Sequence, residues 1–572
     1  MILSNKTAWR KRLLHFGKKI TALLTALVML LSLTACDPMG TLFPGYDTSR
    51  LERIFGANNG SDRVSGLGFE DMEYERPDAD ELVRLTDNIK DLLDAHSSRK
   101  ETISALNDFF DAYSHFGTML TLAMIRSDMD LSDEHCAEEY DYCTGASATV
   151  DKCYDDVMLA CARSHLSEYL DTYYFGGMLE EGYGDEDGIY ADDELVSLQN
   201  EESRLLTQYR AVYAKFSAAD SYDVYEKHNA EAAQIFIDLV RVRRQIAEKC
   251  GYDSYREYCY DGFGRSYDAQ ELEEYCGAVK KYFVPIYKKL AESGRLDTLY
   301  DDFEKLSSAD CLSTVASAAS NMGGDISAAM KYLKSEGLYC IGSSENMYDG
   351  SYVTYLTDFD APFLFSRTSG YQEDILTVGH EFGHFTDDYI NEGLNLDNDT
   401  SEMFSQAMEF LITKYLPDEK LASQLESFKL VDAVSTYVDQ MCFNEFENAV
   451  WELDDDELTV KNLNSLYARL ASEYGGADGV PAKYLPYMWT NIQHMFESPF
   501  YVISYCVSCS AAFELYNMEL DRSGAGLKAY NKLLKAASDG SFLDILDSAG
   551  LPSPISEDSV KRLADSIGSR LF

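Results

Sequence analysis

Residues 380–384 read His-Glu-Phe-Gly-His, and two histidines at that spacing work together only on a helix. There, residues i and i+4 lie one turn apart on one face. Ile375, Leu376, Val378, Phe382 and Phe385 lay an apolar stripe of roughly helical spacing along the same stretch. Gly379 and Gly383 each weaken a helix by about 1 kcal/mol relative to Ala. Two glycines four apart on one face would allow another helix to pack closely, which would offset part of that cost. On such a helix the imidazoles of His380 and His384 bind one metal ion, and Glu381 takes a proton from a water that the metal activates. The bland alternative is a surface helix with two idle histidines.

A catalytic metal of this kind usually has three protein ligands and an open position. The next helix-like run begins near Asp399, with Thr400 or Ser401 as its expected cap. Glu402 is the expected third ligand. Glu409 lies seven residues further on, on the same face as Gln406, and is expected to orient a ligating histidine. Either glutamate alone would read as a solvated helix position; the preceding histidine pair and the short loop favour the ligand reading. Two imidazoles and one carboxylate point to zinc, one ion per chain.

With Glu402, Ser405, Gln406 and Glu409 following the histidine motif, the sequence resembles the thimet oligopeptidase/oligoendopeptidase F family of zinc metallopeptidases. That family carries an E-x-x-S-Q-x-x-E segment after its zinc helix. Three further stretches resemble it in the family's order: residues 245–268, with Gly251-Tyr252-Asp253-Ser254-Tyr255 at their core, residues 350–370, and residues 494–513. The resemblance spans roughly 245–515. It implies a mainly α fold in which two helical halves flank a deep substrate channel, with a small β-sheet beside the zinc helix. Such a channel admits short unfolded peptides and excludes folded proteins. It also implies that His494, Tyr505 and Tyr501 serve the tetrahedral oxyanion of peptide hydrolysis. By spacing, Tyr501 and Tyr505 share a face if both are helical, although with 41 tyrosines in the chain most must be packing or surface residues. One departure stands out. Asp387 occupies the position, three past the second ligand, where the family usually has a histidine; the metal ligands themselves are untouched.

Before the histidine motif, residues 352–357 and 362–366 are rich in β-branched and aromatic side chains and read as two strands joined by a turn. An edge strand there can bind an extended peptide through backbone hydrogen bonds, or the pair can be a purely structural hairpin. The opening of the chain is of a different kind. Arg10, Lys11, Arg12, Lys18 and Lys19 precede an uncharged, largely apolar run, Ile20–Cys36, which has the layout of a signal peptide. Its end, Leu33-Thr34-Ala35-Cys36, resembles the bacterial lipobox. That implies a lipid on Cys36 and a protein anchored to the outer face of a bacterial cell membrane. An uncleaved anchor is the alternative, at the short limit for a membrane span.

Removing residues 1–36 leaves 43 basic against 98 acidic side chains, a net charge of −55. That argues against nucleic-acid or anionic-membrane binding by the folded part and is ordinary for a soluble exported protein. Of thirteen cysteines, twelve follow Cys36; Cys136, Cys143, Cys153 and Cys161 cluster in an acidic region and could pair. Cys506 and Cys509 form a C-x-x-C inside an apolar run, where packing is the favoured reading over redox or metal chemistry. Asp185-Glu186-Asp187-Gly188 hints at a calcium loop but lacks its full spacing. Only 11 prolines in 572 residues suit a mostly helical protein. The expected organisation is a signal peptide at 1–36, a tether at 37–75, an N-terminal helical domain at 76–235 and a catalytic domain at 236–572. The expected function is zinc-dependent cleavage of internal bonds in short peptides, by a monomer. The alternative is a peptide-binding lipoprotein whose catalysis has lapsed.

Overall fold

The computed structural model describes residues 68–175, 179, 193–217, 221–296, 298–300, 303–394, 396–476, 480–538 and 540–572. The signal-peptide run with Cys36 and the acidic loop at 185–188 lie outside the described residues.

The chain is mainly helical with one small sheet. Helices α1 (Ala79–Asp94), α2 (Arg99–Met129) and α3 (Glu134–Ala162) pack on one another. Each starts at a residue whose side chain accepts a first-turn N–H: Asp78, Ser98 and Asp133. Ser98 and Glu101 close a reciprocal capping box at α2. Their inward faces, with Leu82, Phe109, Phe110, Val157 and Cys161, form a hydrophobic cluster of their own. Helices α4 (Asp193–Ser217) and α5 (Asp223–Lys249) pack together, and their buried side chains join the larger core instead. The boundary expected at 235/236 falls inside α5. Residues at the end of the expected tether are also built into the fold. Phe69 is buried, its backbone N–H donates to Glu336 O, and its ring centroid lies 4.2 Å from that of Phe363. Burial of one aromatic ring is enough to pin the segment.

Cys136, Cys143, Cys153 and Cys161 all lie on α3 and are free thiols, as are the other described cysteines. Pairing among them is excluded by the helix itself. A rise of 1.5 Å per residue puts even Cys136 and Cys143 about 10 Å apart, beyond the ~7 Å limit for a disulfide.

The sheet has three strands, β1 (Tyr339–Gly342), β2 (Ser351–Leu356) and β3 (Ala361–Arg367), with β3 in the centre. β2 runs antiparallel to β3, from Ser351 opposite Ser366 to Leu356 opposite Ala361, and β1 runs parallel to it. The chain reverses between β2 and β3 through Asp360, which takes a positive φ of 48° and accepts a hydrogen bond from Tyr355 Oη. Strand β3 packs along the helix Asp374–Asn391.

Beyond α5 run α6 (Tyr255–Gly262), α7 (Asp374–Asn391), α8 (Asn398–Tyr415), α9 (Glu419–Trp451), α10 (Gln493–Glu497) and α11 (Ile503–Asp521). Helix α8 is packed between α7 and α11. The cap of α8 is Asp397, not Thr400 or Ser401: its carboxylate accepts from Thr400 N at 2.9 Å and from Thr400 Oγ1 at 2.8 Å. The aspartate three residues earlier reaches the free N–H, so the two hydroxyl residues become part of the first turn. In α11, Ile503 to Tyr516 are all buried, as expected for a helix apolar on every side.

The close approach of α7 and α8 occurs at Gly383. A Cβ there would lie 2.6 Å from Ser405 Cα and 2.9 Å from Phe404 O, both backbone atoms. At Gly379 the nearest atom is the end of the Ile412 side chain, at 3.3 Å. Gly383→Ala is therefore expected to lower the melting temperature by about 1–3 °C, from a net cost of about 1–3 kcal/mol for overpacking. Gly379→Ala is expected to be near neutral. Thermal melts of the two variants check the contrast.

Candidate active site

His380 and His384 sit on the buried face of α7, and the Gly383 contact brings Glu402 of α8 against them. His380 Nε2 lies 3.7 Å from Glu402 Oε2, and the two imidazole centroids are 5.0 Å apart. One ligand atom from each of His380, His384 and Glu402 can be chosen so that all lie within 4.8 Å of one another. The three are at most 5% exposed.

Glu381 is fully buried next to them, and neither of its carboxylate oxygens has a hydrogen-bond partner. Burial pushes its carboxyl up to about 8; His380 opposes this, and Glu402 and Glu409 add to it. Burial also drives His384 well below the usual imidazole range, reinforced by His380.

This donor set fits a metal such as zinc. Two imidazoles and a carboxylate converge in a dry site. A buried carboxylate with nothing to accept from is what remains when a metal and its water are taken away from such a site.

The ligands are held from behind. His380 Nδ1 is 2.9 Å from Glu409 Oε1, which leaves Nε2 for the metal. Glu409 Oε2 pairs with Lys429 Nζ of α9 at 2.6 Å, and Lys429 reaches Asp432 at 3.0 Å. Burial would raise Glu409, but Lys429 and His380 outweigh it and hold the carboxyl below its usual range. Ser401 Oγ lies 3.2 Å from His384 Nδ1, and Ser405 Oγ donates to the Glu402 carbonyl at 2.9 Å. Gln406 does not face the metal ligands; its Nε2 donates to Tyr505 O at 3.1 Å and ties α8 to α11.

On the opposite wall, His494 of α10 and Tyr505 of α11 meet, with Nε2 3.3 Å from Oη. Burial lowers His494 to about 3, so its ring is neutral. Tyr501 is not on the helix with Tyr505, because α11 begins at Ile503. It precedes the helix in a turn set by Phe500, which has a φ of 65°. Its ring still lies 5.3 Å from that of Tyr505 and stacks on His494 at 5.9 Å, and its hydroxyl donates to Glu402 Oε1 at 2.9 Å. Asp387 is buried and pushed up to about 7 by burial. Asn391 Nδ2 donates to its Oδ1 at 2.6 Å and to Leu534 O at 3.0 Å, which links the end of α7 to the helix Ala525–Ala536.

Residues 69–179 match the Peptidase M3 N-terminal domain, and residues 326–564 match Peptidase family M3. The chain belongs to peptidase family M3. It is a metallopeptidase, and the two matches together cover more than half of its length. No curated protein matches it in sequence. Among solved structures it is similar to PZ peptidase A with a bound inhibitor (20% identity, TM-score 0.74, covering 88% of this chain and 99% of that one). It is also similar to a protein assigned as oligoendopeptidase F from Bacillus anthracis (20% identity, TM-score 0.70, covering 88% and 98%). A third is oligoendopeptidase-F from Enterococcus faecium (17% identity, TM-score 0.53, covering 86% and 96%). These likenesses are of fold.

Lys429 escaped the sequence reading, whose only available signal was a lysine inside the apolar run Phe428 to Val431. Removing it would leave Glu409 a buried, half-paired charge behind His380. Lys429→Met is therefore expected to weaken metal binding about 10-fold or more in this metallopeptidase, read by competition with a chelating dye.

Proposed function

We propose that this chain is a zinc-dependent oligopeptidase that cleaves internal bonds of short, unfolded peptides. The observation that carries the reading is the partnerless, buried Glu381 carboxylate beside the His380–His384–Glu402 cluster. His380, His384 and Glu402 would hold a zinc ion, which would supply Lewis acidity toward the scissile carbonyl and a bound water. Glu381 takes the proton of the attacking water and passes it to the leaving amine. Tyr505 donates its hydroxyl proton to the developing oxyanion, while His494, whose Nε2 lies 3.3 Å from that hydroxyl oxygen, donates to Tyr505 Oη and holds it in place. Tyr501, through Glu402 Oε1, orients the ligand carboxylate and lies within reach of the same oxyanion face. Strands β1 and β2 are the outer strands of the sheet, and an extended peptide can pair with an outer strand through its backbone. This gives affinity with little sequence selectivity.

The sequence of residues 1–36 supports placement outside the cytoplasm, with Cys36 lipidated and the catalytic part on the outer face of a bacterial membrane. The acidic balance of the rest of the chain suits a soluble body at that surface.

The test is cleavage of a quenched fluorescent peptide of about ten residues by residues 37–572, with metal content measured on the same sample. An extended strand of that length spans roughly 33 Å. Turnover with one zinc per chain is expected. Glu381→Gln is expected to retain the zinc and to lose about 10²–10⁴-fold in rate, and Tyr505→Phe about 10²-fold in kcat. Zinc without turnover on a varied peptide pool would instead favour a peptide-binding protein. Casein cleavage as fast as that of short peptides would contradict the restriction to oligopeptides.

A further inference from the structure

Among the described non-glycine residues with positive φ, Phe500 is the only apolar one. Its ring is fully buried, near Trp451 at 5.9 Å and Tyr260 at 6.0 Å. A left-handed backbone is disfavoured for a bulky side chain and persists only where the surroundings hold it. Here both backbone polar groups of Phe500 are gripped. Its N–H donates to Glu447 Oε1 of α9 at 3.1 Å. Its carbonyl accepts from Arg265 Nη2, and the same nitrogen donates to Ser504 Oγ at 3.3 Å in the first turn of α11. Arg265 follows α6 directly, and its guanidinium lies over the rings of Tyr260 at 4.5 Å and Phe263 at 5.0 Å. The residue after Phe500 is Tyr501. Phe263 meets its ring edge-on at 5.8 Å, and its hydroxyl reaches Glu402.

We propose that Arg265 and Glu447 are positioning residues: together they clamp the Phe500 backbone in the left-handed turn that aims Tyr501 at Glu402. The proposal rests on the functional reading above only in taking Tyr501 and Glu402 as part of the site. Arg265 and Glu447 act through Phe500, one from the segment after α6 and the other from α9. The site therefore depends on parts of the chain more than 100 residues from the zinc helix on one side and about 60 on the other. An extended backbone at Phe500, the default for this residue type, would turn the Tyr501 hydroxyl away from the carboxylate.

Two measurements on the chain 37–572 test this. The first is hydrogen exchange on metal-free protein. Arg265→Met is expected to speed exchange of amides in 498–504 by about 10-fold while α7 and α8 keep their protection. The second is a double-mutant cycle with Tyr501→Phe on zinc-loaded protein. Arg265→Met alone is expected to lower kcat by about 10–100-fold, the cost of a misplaced group, with KM changed by no more than about 3-fold. In the Tyr501→Phe background the same change is expected to cost less than about 3-fold, because the two act as one unit. Should Arg265→Met fail to fold, Arg265→Lys, which keeps one donor for the Phe500 carbonyl, is expected to show the same pattern at smaller size. Unchanged exchange at 498–504, or equal kcat losses in both backgrounds, would overturn the clamp. Tyr501→Phe alone reports on the functional reading: if it leaves turnover intact, that role of Tyr501 falls, while the exchange measurement still decides the clamp.

Discussion

The contact of Gly383 with the backbone of Phe404 and Ser405 is the constraint on which the site depends. With no Cβ at that position, α7 and α8 approach until backbone meets backbone. Glu402, one turn before the contact on its helix, then reaches the imidazoles of His380 and His384. A methyl group would have to displace backbone, and α8 carries Glu409, Ser401 and Gln406 with it. The intrinsic helix cost of the glycine is about 1 kcal/mol. The return is a three-residue donor set that neither helix can make alone.

Placing this much charge inside a protein is costly unless each group is answered. Most groups here are. Lys429 answers Glu409, Glu409 answers His380, Ser401 meets His384, and Tyr501 and Ser405 meet Glu402. Glu381 is the exception. A carboxylate with both oxygens unanswered, beside the His380–His384–Glu402 cluster, points to chemistry done at that place. Around it, the neutral His494 and Tyr505 offer donors and bring no further charge.

The grouping of His380, His384 and Glu402 was legible because its logic is local: i and i+4 on one helix, and a carboxylate at the start of the next. So were β2 and β3, whose alternating β-branched and aromatic residues mark them. What escaped the sequence was set by distant contacts. β1 is a four-residue, half-buried strand whose parallel pairing with β3 leaves no local signal. Lys429 comes from a third helix. Tyr501 and Tyr505 have helical spacing, yet a positive φ at Phe500 starts the helix after Tyr501, and the turn brings both rings to the site by another route. The cysteines of α3 looked pairable by count and are kept apart by helical rise. The cap of α8, Asp397, lies two residues before Asp399, where the helical pattern starts.

The most direct test of the account is diffraction from crystals of residues 37–572, grown without chelator, with data collected on both sides of the zinc absorption edge. The account predicts one anomalous peak per chain, bonded to His380, His384 and Glu402, with Glu381 facing the open side. A zinc peak bound elsewhere, or no peak at these residues in protein that hydrolyses peptides, would contradict it.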